Sequence, residues 1–105
     1  MTDPAEAPAS VWTEVTLEEP IRRGGDAIAT LRLRRPRAGE LRGIALSDLV
    51  RLDVGALVTL LPRITDPVLI AGEVEGLPPA DIAAIGVKVL GFFMTAAQRE
   101  EAELA

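Results

Sequence analysis

The stretch Arg34 to Gly43, Arg-Arg-Pro-Arg-Ala-Gly-Glu-Leu-Arg-Gly, divides the chain into two parts with different periodicities. Pro36 lacks the N–H that a central strand needs and disfavours helical geometry at Arg35, so a strand arriving here must change state. Ala38 to Arg42 then reads as one short helical turn, ended by Gly43, which can adopt the left-handed conformation that follows a helix. Upstream the apolar residues alternate; downstream they recur at helical spacing.

Working outward to the N-terminal side, Ile28 to Arg35 places Leu31 and Leu33 on one face and Arg32 and Arg34 on the other. That is the period of a half-buried strand. A first strand precedes it: Val11, Thr13, Val15 and Leu17 fall on one side, with Trp12, Glu14, Thr16 and Glu18 on the other, and Pro20 is expected to stop it. Arg22-Arg23-Gly24-Gly25-Asp26 between them is a turn, because paired glycines supply the positive φ that tight hairpins use. An isolated hairpin is marginal in water, so the Val15, Leu17, Leu31 and Leu33 face needs helices from downstream to cover it.

On the C-terminal side, Ser47 reads as the cap of a short helix through Leu52, with Leu46, Leu49 and Leu52 at helical spacing. Asp53 caps the next helix, in which Val54, Leu57, Val58 and Leu61 follow the i, i+3, i+4, i+7 pattern and Pro62 lies near the end. Thr65-Asp66-Pro67 resembles a helix start, with Asp66 as cap, predicting a short, weak helix from Pro67 to Glu75 because Gly72 and Gly76 interrupt the pattern. Pro78-Pro79 opens the last and longest helix, to about Gln98, with Asp81 in its first turn where the helix dipole favours an acid. Between Ile82 and Met94 only Lys88 is charged, and apolar residues surround the axis. Such a helix is either a central core helix or one that also meets another chain through Phe92, Phe93 and Met94.

The expected architecture is therefore α+β: an N-terminal β-hairpin (residues 11–35) followed by a small bundle of three to five helices (37–98) in a single domain. Residues 1–10, with Pro4, Pro8 and small residues, read as a disordered tail, and residues 99–105 as a frayed acidic one. A length of 105 residues fits one domain, and 49% hydrophobic with 26% charged residues is a globular composition. Aromatics are 3%, so the core must be built from Leu, Ile, Val and Ala.

The chain has no cysteine and no histidine. This excludes disulfides, thiolate chemistry and the usual triads and zinc sites. Glu18 with Glu19 and Glu73 with Glu75 lack the spacing to converge on one substrate, Ser47 has no nearby base, and Gly24-Gly25 lacks the setting of a phosphate loop. No enzymatic activity and no cofactor or metal site is expected. The N-terminus lacks the features of a signal peptide, and no apolar run is long enough to span a membrane, so the protein reads as soluble and intracellular.

The net charge of −5 conceals a partition. Residues 1–19 hold five acids and no base, while residues 20–42 hold seven arginines against Asp26 and Glu40. The basic middle is either a solvated hairpin face that pairs with the protein's own acids, the favoured reading, or a nucleic-acid patch.

The order Pro20-Ile21-Arg22-Arg23-Gly24-Gly25, Leu31-Arg-Leu-Arg-Arg-Pro-Arg-Ala-Gly-Glu-Leu-Arg-Gly43, Leu46-Ser-Asp-Leu49, Leu60-Leu-Pro-Arg-Ile-Thr65, Leu77-Pro-Pro-Ala-Asp81 and Gly91-Phe-Phe93 resembles the tail assembly chaperones of Mu-like, contractile-tailed phages, the tail assembly protein E family. The resemblance covers about residues 13 to 94. It implies a non-enzymatic protein of the bacterial host cytoplasm, absent from the mature virion, that binds the tape measure protein and promotes assembly of tail tube subunits around it. Tail tube protein and a second copy of the chain are further partners to consider; a membrane is not. The resemblance carries over no binding residues. From the residues themselves, Leu57, Leu61, Val89, Phe92 and Phe93 are the candidates for helix contacts, and Arg34, Arg35, Arg37 and Arg42 for docking or steering. The rival readings are a small nucleic-acid-binding regulator using the arginine hairpin and a structural tail subunit.

Overall fold

The computed structural model describes residues 12–94. Two long strands, β1 (Trp12–Arg23) and β2 (Asp26–Arg34), form an antiparallel hairpin, and a two-residue strand, β3 (Thr65–Asp66), pairs with the far side of β2. The sheet order is β1-β2-β3. A 3-10 turn (Ala38–Leu41) and four helices follow the hairpin: α1 (Leu46–Val50), α2 (Val54–Ile64), α3 (Ala71–Glu75) and α4 (Pro79–Gly91), the last being the longest. The tails, Val11, and the part of the expected last helix beyond Met94 lie outside the described residues.

The hairpin follows its alternation. Val15 pairs with Leu31 and Thr13 with Leu33, and Val15, Leu17, Leu31 and Leu33 are all buried. Gly24 and Gly25 form the two-residue connection, and only Gly24 needs positive φ, at 56°, the pattern of a type II′ turn. Pro20 does not end β1. Between the Thr16↔Thr30 and Ile21↔Ile28 pairs, β1 advances five residues and β2 only two, so Pro20 sits in a wide bulge where no ladder bond requires its missing N–H.

Asp81 holds that bulge. Its two carboxylate oxygens accept from the backbone N–H groups of Glu18, at 2.7 Å, and Glu19, at 3.0 Å, and the residue is 1% exposed. The first-turn acid of α4 thus acts on a distant strand as well as on its own helix terminus.

In the helical half, Asp53 caps α2 as expected, its Oδ2 accepting from the Ala56 N–H at 2.9 Å. Ser47 does not cap α1: the helix starts at Leu46, its cap position Ala45 lying two residues before Ser47, and no side chain bonds at that end. Leu49 of α1 is fully buried while Leu46 is exposed. Leu52 takes a left-handed φ of 60° at the α1 to α2 corner and lies against Gly86 of α4, where a Cβ would stand 2.9 Å from Leu52 Cδ2. The bare Cα of Gly86 leaves the space that the Leu52 side chain fills at this corner.

Two expectations fail at the third helix. Thr65-Asp66-Pro67 is not a helix start: Thr65 and Asp66 pair with Leu33 and Arg32 as β3, the Asp66–Pro67 peptide is cis, and α3 begins only at Ala71. The Thr65 hydroxyl accepts from the Leu69 N–H at 3.1 Å, turning the chain back toward the core.

The last helix also stops earlier than its apolar run, at Gly91, followed by i to i−3 turns in which the Phe92 N–H donates to the Val89 carbonyl and the Phe93 N–H to that of Leu90. Nor is α4 enclosed. Its buried residues are Asp81, Ile85, Gly86 and Val89, a single stripe.

Candidate functional site

The connection from Arg34 to Gly43 is built as a knot around Glu40. Arg34 donates both guanidinium arms to the Glu40 carboxylate, Nη1 to Oε1 at 2.7 Å and Nη2 to Oε2, and Nη2 also donates to the Arg63 carbonyl at 3.0 Å. The Arg37 N–H donates to Glu40 Oε1 at 2.9 Å. From α2, Arg63 Nη1 reaches the carbonyls of Glu40, at 2.7 Å, and Arg42, at 2.9 Å. The Arg34 hydrogen bond holds the Glu40 carboxyl below its usual pKa, helped by the Arg37 N–H, and Glu40 in turn raises that of Arg34.

The arginines therefore divide. Arg34 is consumed by Glu40, Arg32 by Asp66 and by the ring of Trp12, whose centroid lies 4.6 Å from the guanidinium carbon, and Arg23 by Glu73. Arg23 donates from Nε and Nη2 to the two Glu73 oxygens, each at 2.7 Å, and Nη2 also reaches the Val68 carbonyl. This pair, with the Ile70 N–H, pulls the Glu73 carboxyl down to about 2. Arg35, Arg37 and Arg42 are exposed, and among the described residues their guanidinium groups meet no carboxylate. Among the described residues, the pairing of hairpin arginines with the protein's own acids thus holds for Arg23, Arg32 and Arg34.

Of the apolar candidates, the structure places Leu57, Leu61 and Val89 in the core, at 1%, 0% and 0% exposure. They hold the fold together and offer no surface to a partner. Phe92 and Phe93 are half-buried against that core. The open apolar surface lies elsewhere. Ala80, Ala83, Ala84 and Val87 are all exposed and fall at i, i+3, i+4, i+7 on α4, so the helix carries a second apolar stripe facing away from the core. Leu46, Val50 and Val54, each more than half exposed, stand at the α1 to α2 corner against which Gly86 packs. The signal for the α4 stripe was its apolar character all round; which side faced out depended on where β1 and the α1 to α2 corner landed.

For chemistry the arrangement offers little. Among the described residues no three acidic side chains come together as metal ligands would, and no helix is long and apolar enough to cross a membrane. Asp81, the one fully buried carboxylate described, is occupied by the bulge.

The pattern of the family described as phage tail assembly chaperone proteins, E, or 41 or 14, matches residues 14–94. Tail assembly protein E of Escherichia phage P2 is 41% identical over 78 residues, covering 74% of this chain and 86% of that protein. Tail assembly protein E′ of the same phage is 40% identical over 80 residues, 76% of this chain and 56% of that protein, so the chain spans little more than half the length of the longer relative. No solved structure matches. The match runs from the first strand to the end of the last helix, and on it the chain belongs to the phage tail assembly chaperone family, whose role is assembly rather than catalysis.

Proposed function

We propose that the protein binds the tape measure protein in the host cytoplasm, shields that protein's apolar helices before the tail tube encloses them, and is released before the virion matures. The observation that carries this reading is the outer stripe of α4. A helix with exposed Ala80, Ala83, Ala84 and Val87 lets another helix come close, because small side chains keep the backbones from being held apart, and the aliphatic surface then leaves water on contact. Family membership supplies the assembly context, and the net charge of −5 keeps a protein with open apolar surface in solution.

Capture of purified tape measure protein by the immobilised chain tests it. Ala84→Glu with Val87→Glu places two charges on the stripe without touching the core, and should reduce capture at least about tenfold, the effect of roughly 1.4 kcal/mol. The half-buried pair Phe92→Ala and Phe93→Ala should reduce it less. Equal capture by the folded α4 variant would remove the stripe from the account.

A further inference from the structure

The knot around Glu40 has a consequence for the arginines it does not use. The connection carries Arg34, Arg35, Arg37 and Arg42 against the single acid Glu40, and Arg63 of α2 bonds its backbone, so this region is electropositive in a chain of net charge −5. Arg34 and Arg63 are satisfied by Glu40 and by backbone carbonyls, and their bonds fix the path of the chain on either side of Arg35, Arg37 and Arg42. Three exposed guanidinium groups that form no ion pair among the described residues are thereby presented from a backbone whose path is already fixed, which lowers the entropy lost when they bind.

We infer that Arg35, Arg37 and Arg42 form a docking site for a carboxylate-rich segment of a partner protein. The fork of a guanidinium matches a carboxylate, and this same molecule uses that match twice, in Arg23 with Glu73 and Arg34 with Glu40. Nucleic acid is the weaker fit. Single strands are held by stacking on aromatic faces, and here the Trp12 ring is covered by Arg32 while Phe92 and Phe93 pack on the core. Duplex binding draws on many phosphate contacts, of which three exposed arginines supply few, against the repulsion of a net negative chain. The inference rests on the proposed function only in taking the partner to be a protein.

The test uses the full chain, a short glutamate-rich helical peptide and a short DNA duplex of equal charge, followed by fluorescence anisotropy. The peptide should bind, weaken about tenfold as salt rises from about 50 mM to about 300 mM, and lose measurable binding to Arg35→Ala/Arg37→Ala/Arg42→Ala. Those residues are exposed, so an unchanged unfolding midpoint is expected and confirms that the variant is folded. Tighter binding of the duplex than the peptide, equal peptide binding by the variant, or no binding of either probe would overturn the proposal. So would concentration-dependent self-association of the wild type that the variant lacks, because the occupant would then be a second copy. Peptide binding together with failed capture of tape measure protein would leave this site standing and sink the proposed function alone.

Discussion

At the scale of single residues, the fold turns on two contacts that join distant parts of the chain. Asp81 satisfies two backbone N–H groups of the β1 bulge. Asp81→Ala leaves both donors without their acceptor and should destabilise the protein by about 2 kcal/mol, read as a lower midpoint in urea unfolding. Gly86 is the second. A side chain there meets Leu52 Cδ2, already held at a left-handed φ of 60°. Gly86→Leu should cost about 1 to 3 kcal/mol by overpacking, despite the better helix propensity of leucine, on the same measurement. Neither role is legible locally: Asp81 carries the ordinary mark of a first-turn acid and Gly86 that of a weak helix position, and only tertiary placement reveals what each touches.

At the scale of elements, the segments whose cause is local were readable and those whose cause is distant were not. The hairpin strands follow from alternation, Gly24 from the turn, and α2 from the Asp53 cap and its apolar spacing. The third strand could not be read this way, because Thr65-Asp66-Pro67 carries a helix-start signal and becomes β3 only by pairing with β2. Ser47 likewise has the residue type of a cap and stands inside α1. The Arg23 to Glu73 pair, which ties the hairpin to α3, gives the elements a pH dependence. The Glu73 carboxyl falls from the usual 4.5 to about 2 in the folded protein, so its contribution is fully present above about pH 5 and is lost as pH falls toward 2. Glu73→Gln should therefore reduce stability near pH 7, the gap to wild type should close between about pH 5 and pH 2, and thermal melts across that range would show it. A constant gap would mean that the pair contributes nothing through its charge.

For the molecule as a whole, the sequence told which residues are apolar and which are basic, and the packing decided which of them are available. Leu57, Leu61 and Val89 satisfy the pattern of a helix contact because they make one, inside the core. Arg34 completes the knot around Glu40, while the guanidinium groups of Arg35, Arg37 and Arg42 form no ion pair among the described residues. The surface that emerges has two characters: an apolar stripe along α4 and a basic connection between the hairpin and the helices. The most direct measurement is the soluble yield of tape measure protein on co-expression with the wild-type chain and with Ala84→Glu/Val87→Glu. Wild type should keep the tape measure protein soluble, and the equally expressed, folded variant should leave most of it in the pellet. Equal soluble yields with the two chains would contradict this expectation.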